Sequence, residues 1–426
     1  MPLPEVIVVG AGPAGATAAR TLALAGVTVR LLDRSKFPRQ KPCGGAISLR
    51  ALRRFPYLEP ELSRIGTHRV SRLHLEGPDG QSTLIESDGP AVLLVRRLEF
   101  DARLVGLATD AGAELVSDAQ IVQAHDHGNR VALVARDGRR FEAPLVIAAD
   151  GVHSVVARRL GIRPAWPAQA VALDMMEETP RTTLRDVDPS TLWVTYGYDW
   201  RRGHTRAALD ESAPAPEGYA YVFPKRDHVN VGIGYVLQHY RSTIERAPYD
   251  LQRTLVSDLV DRDVLQGRSS RACFTPFLIP VGGPSRTSGR GRVLLAGDAG
   301  GYVHGVTAEG IYYAMVSGDL AARAVVASAR TPDSAVDRYE RACRAQIGAE
   351  LADSVLLQRY LFRSRHRIGR IISAARGASL TSLILGWAMG ERPYGDIRLR
   401  MATEAPGLAA HSAWQQVKRL WPAAAV

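Results

Sequence analysis

Lysine is nearly missing from this chain. Its 426 residues include 54 lysines and arginines, and only Lys36, Lys41, Lys225 and Lys418 are lysines. Cysteine is scarce as well. Cys43, Cys273 and Cys343 fit no zinc-ligand spacing and suggest no disulfide framework. A reducing cytoplasm, possible membrane association aside, is therefore the expected setting. No apolar run is long enough to span a bilayer. The longest, near Gly377 to Gly390, is short and flanked by Arg376. The first apolar stretch, from Val6, reads as a strand and not as a targeting segment. Zinc-protease, phosphate-loop and nucleophile-elbow motifs are all absent. No nucleic-acid recognition module accompanies the net charge of +11, so nucleic acid is not the expected partner. An arginine-rich solvated surface accounts for the charge simply. Attraction to anionic lipid or a phosphorylated substrate is the functional alternative.

What is present is a chain with 46% hydrophobic residues, enough for a large core and two or three domains. Two glycine-rich signatures stand almost three hundred residues apart. The first, VIVVGAGPAGATAA, follows an apolar, β-branched run at Val6 to Val9. Gly10 allows the turn out of that strand. Gly12 leaves room for a pyrophosphate, and Gly15 lets the next helix pack closely. That helix, from Pro13 to about Ala25, directs its N-terminal N–H groups at the phosphates. The strand VTVRLLD then ends at Asp33, where the pattern expects an acid for ribose hydroxyls. The acid favours an unphosphorylated ribose. The second signature, RVLLAGDAGGYVHGVTAEGIYYA, is centred on Gly297 and Asp298. The first alone indicates a dinucleotide; the pair indicates FAD.

Between them lie LVRRLEFDARLVGLATDAGAEL, read as a strand and then an amphipathic helix, and APLVIAADGVHSVVARRLGI. In the latter, Leu145 to Ala149 forms a buried strand and Asp150-Gly151 turns into a helix near His153. The chain here resembles the flavoproteins folded like p-hydroxybenzoate hydroxylase. That superfamily carries a glycine triplet, an Asp-Gly motif and a late Gly-Asp motif in this order. The resemblance assigns the flavin ribityl chain to Asp298 and places Arg97 near the cofactor. Ala157 stands where the Asp-Gly motif usually carries an arginine.

A narrower resemblance covers most of the chain. KPCGGAIS, GYAYVFPKRDHVNVGIG, TAEGIYYAMVSGDLAA and the tail GERPYGDIRLRM are each similar to segments of the geranylgeranyl reductase family. Lys41 and Lys225 fall inside these segments, hinting at a need for a compact ammonium. The chain departs from the family at Tyr221, often Trp; at His304-Gly305, which replaces Asn-Pro; and at Ala308, which replaces Gly. The cofactor-facing set so implied is Gly10, Gly12, Pro13, Ala14, Gly15, Asp33, Arg34, Lys41, Gly44, Gly45, Arg97, Asp150, Gly297, Asp298, Gly305, Ala308, Gly310 and Ile311.

The expected fold class is α/β. A Rossmann-type FAD-binding domain would comprise residues 1–72, 96–165 and 285–335. An antiparallel-sheet substrate domain would take 73–95 and 166–284, and a helical cap 336–426. Strands at Arg72 to Glu76, Ser82 to Glu86 and Ala91 to Val95 would join the substrate side. The alternating VNVGIGYV suggests an antiparallel sheet with one buried face. Its Gly232 and Gly234 precede no helix, so no second dinucleotide domain is expected. NAD(P)H or another reductant would bind without one, or an electron-donor protein would serve.

The implied activity is an FAD-dependent reductase saturating geranylgeranyl-type double bonds of a lipophilic small molecule. The alternative is an FAD-dependent monooxygenase, since one fold hosts both. An unactivated alkene offers no carbonyl to polarise. The site must exclude water, hold the chain near the flavin and position a proton donor. The helix from about Thr307 should point its N–H groups at the flavin. Tyr219 and Tyr221, with Phe223, are candidate cavity walls on one strand face. Cys43 is either a proton donor or an inert thiol. His304 either titrates near neutral pH or merely hydrogen-bonds its loop. Glu309 suits a cap or dipole partner. His125-Asp126-His127 reads as a polar turn, and no metal site is expected.

Overall fold

The computed structural model describes residues 5–203, 214–329 and 331–377, and beyond them only positions 381, 392, 395 and 399. Lys418, nearly all of the Gly377–Gly390 stretch and all of the tail segment GERPYGDIRLRM except Arg392, Gly395 and Leu399 thus lie outside the described residues.

Five short apolar runs build a six-stranded sheet. Its order is Gly289–Arg290, Val293–Leu295, Leu145–Ala148, Val6–Val9, Val29–Leu32 and Glu114–Val116. All pairs are parallel except the first, so strands far apart in sequence lie side by side. Alternation along the central strand assigns its two faces. Val6 and Val8 point into a core with the helices Pro13–Leu24, Arg97–Asp110 and Ile311–Ala327. Ile7 and Val9 point into a second core under the meander Ile121–Asp126, Val131–Ala135 and Arg140–Ala143. The helices after Pro332 do more than cap. Tyr339, Cys343 and Leu351 enter the first core, and the Tyr339 hydroxyl donates to the Leu295 carbonyl at 2.7 Å.

A seven-stranded sheet runs Phe274–Ile279, Ala172–Pro180, His228–Val236, Gly218–Pro224, Thr191–Tyr196, Arg72–Glu76 and Ser82–Glu86. It is antiparallel apart from the Thr191–Tyr196/Arg72–Glu76 pair. The alternating VNVGIGYV strand is covered on both faces, not one. Val229, Val231, Ile233 and Tyr235 meet the helix Pro248–Asp261, while Tyr221 and Met176 face Val70 and Leu94 across the sheet. Gly232 has a packing reason: a Cβ there would stand 2.4 Å from the Tyr221 hydroxyl.

The segment Ala91 to Val95 differs from expectation. Val92–Leu94 leaves the large sheet and pairs with Ala46–Ser48 and His68–Val70 in a three-stranded sheet. Its apolar residues fill the seam between the two large sheets. Among the described residues no helix is long and apolar enough to cross a membrane, and no cluster of metal-binding side chains occurs. His125 and Asp126 end the first strand of the meander, and His127 turns out of it.

Candidate flavin and reaction site

The first glycine signature is held by exclusion of side chains. Gly10 has φ +96°, and a Cβ there would meet the Ala149 carbonyl oxygen at 2.3 Å. A Cβ on Gly15 would lie 1.8 Å from the Gly10 carbonyl oxygen, so the helix rests directly on the turn. At Gly12 the space is open: the nearest neighbour of a Cβ is Arg39 Nη2 at 3.9 Å. Pro13 and Ala14 begin a helix whose N-terminus no side chain caps. An open cradle, free N–H groups and a nearby guanidinium suit a pyrophosphate. Asp33 closes the turn by accepting from the Ala11 N–H at 2.7 Å and the Ser35 N–H at 2.9 Å. Arg34 beside it is exposed.

Arg97 binds the buried Asp101 through two bonds of 2.6 and 2.8 Å, and Arg39 approaches the same carboxylate at 3.2 Å. Asp150 is used locally. Its Oδ2 accepts from the N–H groups of Val155 and Val156, starting the short helix Val155–Arg159, while Oδ1 is buried without a protein partner. That helix begins two residues later than expected because Ser154 takes the capping position.

Asp298 sits in a tight turn at Gly297–Gly300, near Gly310; its carbonyl accepts from the Gly301 N–H, and no hydrogen bond engages its carboxyl among the described residues. Burial pushes its carboxyl above the ordinary value, against the opposing pull of Lys41 and Arg97. Burial, with Arg97 close by, pulls the Lys41 ammonium down, and Lys41 lies over the Phe277 ring at 4.8 Å. An unpartnered acid beside a cation, at the foot of an open cradle, fits a bound polyhydroxyl chain.

The helix expected from Thr307 starts later, at Ile311. Ala308 has φ +51°, which breaks the helical path, and the loop closes through His304 N–H to Glu309 O and Ala308 N–H to His304 O. Glu309 is accordingly no helix cap. It accepts from Ser48 Oγ and Arg50, each at 2.7 Å. Arg50 also bonds Glu350 and Tyr313 and lies over the Tyr312 ring at 4.1 Å. His304 does not titrate near neutrality. Burial, aided by Arg50, pushes its imidazole down to about 3, and its Nδ1 accepts from the Thr307 N–H. Gly305 explains the departure from Asn-Pro. Its N–H donates to Ser354 Oγ at 2.8 Å, and a Cβ would meet the Ser354 backbone at 3.1 Å. A proline would lack that donor.

The Cys-Gly-Gly and Phe-Pro-Lys segments interlock. A Cβ on Gly44 would stand 2.6 Å from the Phe223 ring. Gly45, at φ +75°, passes under the Val95 carbonyl and donates its N–H to Cys43 Sγ at 3.3 Å. Lys225, wholly buried, donates to the Cys43 carbonyl at 3.1 Å and pairs with Glu178. Against the upward push of burial, Lys225 and Arg96 hold Glu178 below its ordinary value.

Tyr219, Tyr221 and Phe223 form one aromatic row, with ring centroids 6.0 and 4.7 Å apart. Tyr219 donates to the Thr307 carbonyl at 2.8 Å, tying the large sheet to the flavin loop. Between them lies a small, partly open pocket of about 30 Å³, bounded by Tyr219, Gly234 and Ile279 on the sheet, by Gly305, Val306 and Ala308 on the loop, and by Phe362. Asp174 also faces it. This residue was legible as a single acid inside the apolar strand AVALDMM, and the motif reading passed over it. Arg50 gave no such signal, because its partners Glu309 and Glu350 are hundreds of residues away.

Comparison with known proteins bears on family and fold. The family described as FAD binding domain matches residues 4–273. Menaquinone reductase of Mycobacterium tuberculosis is 32% identical over 359 residues, covering 79% of this chain and 81% of that protein. Digeranylgeranylglycerophospholipid reductase 2 of Methanothermobacter thermautotrophicus is 28% identical, covering 84% and 87%. Among solved structures, a geranylgeranyl bacteriochlorophyll reductase-like protein from Thermoplasma acidophilum superposes with a TM-score of 0.76 at 21% identity, covering 96% and 98%.

Proposed function

The chain belongs to the geranylgeranyl reductase family of FAD-dependent oxidoreductases, and on that premise we propose that it saturates isolated isoprenoid carbon–carbon double bonds of a lipophilic molecule. The observation that carries this reading is the largely apolar cavity between the flavin loop and the aromatic row. An alkene chain needs such a lining and offers no polar group to recognise.

FAD, when bound, supplies a two-electron reductant at the cavity wall. The Gly10–Gly15 turn and Asp33 would hold its nucleotide half, and Asp298 its ribityl chain. Gly305, Ala308, Gly310 and Ile311 would border its ring system. Tyr219 and Phe362 shape the chamber and keep water from it. Lys225 fixes the Cys43 carbonyl, which sets where the thiol points. His304 orders its loop as a neutral hydrogen-bond acceptor. The flavin unit would be residues 1–72, 96–165 and 285–335, and the substrate unit 73–95 and 166–284, with Val92–Leu94 joining the two through its pairing with Ala46–Ser48 and His68–Val70. NAD(P)H or an electron-donor protein is the reductant, and a membrane surface is the route by which lipid reaches the cavity.

The test is a panel of prenyl lipids incubated anaerobically with enzyme carrying reduced flavin, followed by mass spectrometry. A gain of two hydrogens is expected. Oxygenated product formed only in air would replace this reading with a monooxygenase, and an unchanged panel would indicate a flavin electron carrier.

A further inference from the structure

Resting on the reductase reading, we propose that Asp174 is the general acid of the reaction, delivering a proton from Oδ1 into the cavity, with Tyr221 as its positioning residue. Asp174 is 5% exposed in the middle of a buried strand, opposite Gly234 on one side and Phe277 on the other. It lines the cavity beside Tyr219 and Gly234. Its two oxygens are unequal. Oδ2 accepts from the Tyr221 hydroxyl at 3.0 Å, whereas Oδ1 is buried with no protein partner. A Cβ on Gly234 would stand 3.6 Å from that free oxygen, so the glycine keeps its approach clear.

A buried carboxylate with an unpartnered oxygen is costly, and the neutral acid is the cheaper form. Burial pushes the carboxyl up to about 7, against the opposing effects of Tyr221 and Lys41. With Tyr221 donating to Oδ2, the acid proton falls on Oδ1, the oxygen without a partner. A general acid works best with a pKa near the operating pH. The groups around it are Tyr219 and Tyr221 on the aromatic strand, Lys41 and Cys43 on the Cys-Gly-Gly loop, and Glu217 at the cavity edge. The helix Pro248–Asp261 lies on the opposite face, against Met175. Glu217 also touches the cavity and partial burial raises its carboxyl as well, but the residue is exposed to solvent, whereas Asp174 is enclosed with one oxygen unpartnered.

The step balances. One alkene carbon gains a hydride from the two-electron reductant that bound FAD supplies. The other carbon takes the Asp174 proton as the π pair becomes a C–H bond. The O–H bond breaks, its electrons stay on the carboxylate, and water later returns the proton. The hydride carries both electrons that bound FAD would supply, so the balance closes.

The experiment compares wild type, Asp174→Asn and Tyr221→Phe, each checked for FAD content. Asp174→Asn is expected to lose roughly 10²-fold or more in kcat, the usual scale for a general acid. Wild-type activity should fall as the pH rises through about 7, where the acid loses its proton. Residual Asp174→Asn activity should lack that limb. Tyr221→Phe removes a bond that favours the carboxylate, so its limb should move to higher pH. A second readout needs no turnover. The folded carboxyl holds its proton at pH values where the unfolded one has lost it, so the native state binds more protons between about 4 and about 7. Stability is therefore lost as the pH rises through that window, and Asp174→Asn should gain more in melting temperature at pH 8 than at pH 4. An Asp174→Asn enzyme within threefold of wild type, with the same pH limb, overturns the assignment alone. A wild type that saturates no lipid overturns it together with the reductase reading. A melting-temperature gain equal at both pH values also overturns it, even where the variant is inactive.

Discussion

The nucleotide turn and the reaction chamber are built on opposite principles. Around Gly10 and Gly15 the decisive atoms are backbone, and the geometry exists because side chains are missing. In the chamber the decisive atoms are side chains gathered from distant segments: Asp174, Tyr219, Tyr221, Val306 and Phe362. A backbone site is written in a few consecutive residues and varies little. A side-chain chamber is assembled by the whole fold and is free to change.

The comparison is broken most severely at the turn. Gly15→Val places a branched side chain where even a Cβ is 1.8 Å from a carbonyl oxygen. No folded, FAD-containing protein is expected, as read by soluble yield and flavin absorbance. In the seam between the regions, Lys225→Met leaves Glu178 buried beside Arg96 alone. Glu178 keeps its bond to Arg96, so the loss is that of one hydrogen bond to a charged group, about 1.5–3 kcal/mol, to be read by denaturant unfolding. Asp298→Ala tests whether a side chain matters at all on the flavin side. Loss of a hydrogen bond to a charged group, about 1.5–3 kcal/mol, lowers FAD affinity roughly ten- to hundredfold. Titration of apoprotein with FAD measures it, and unchanged affinity would remove Asp298 from the cofactor site. The smallest effect is favourable. Ala308 holds φ +51°, where a non-glycine residue pays about 1–2 kcal/mol. Ala308→Gly relieves this strain but adds unfolded-state entropy, so a gain of about 1 kcal/mol or less is expected in thermal unfolding.

The same contrast explains what the sequence made legible. The strand–turn–helix at Val6 to Leu24, the Gly297–Asp298 turn and the shared face of Tyr219, Tyr221 and Phe223 follow from local spacing. Val92–Leu94 was misplaced because its partners, Ala46–Ser48 and His68–Val70, are set by topology and not by pattern. The late start of the Ile311 helix was hidden because Ala308 carries no turn signature, although its backbone is left-handed. His304 invited a catalytic reading by residue type, and only its burial beside Arg50 shows it to be neutral. The meeting of Gly305 with Ser354 depends on a helix fifty residues away.

On the reductase reading, electrons pass from this protein's flavin to a carbon–carbon double bond without oxygen. Anaerobic single-turnover absorbance tests it most directly: enzyme with fully reduced flavin is mixed with one equivalent of a prenyl lipid. The account predicts return of the oxidised-flavin spectrum in step with loss of one double bond. A flavin that stays reduced until air is admitted, with oxygen then found in the product, would contradict it.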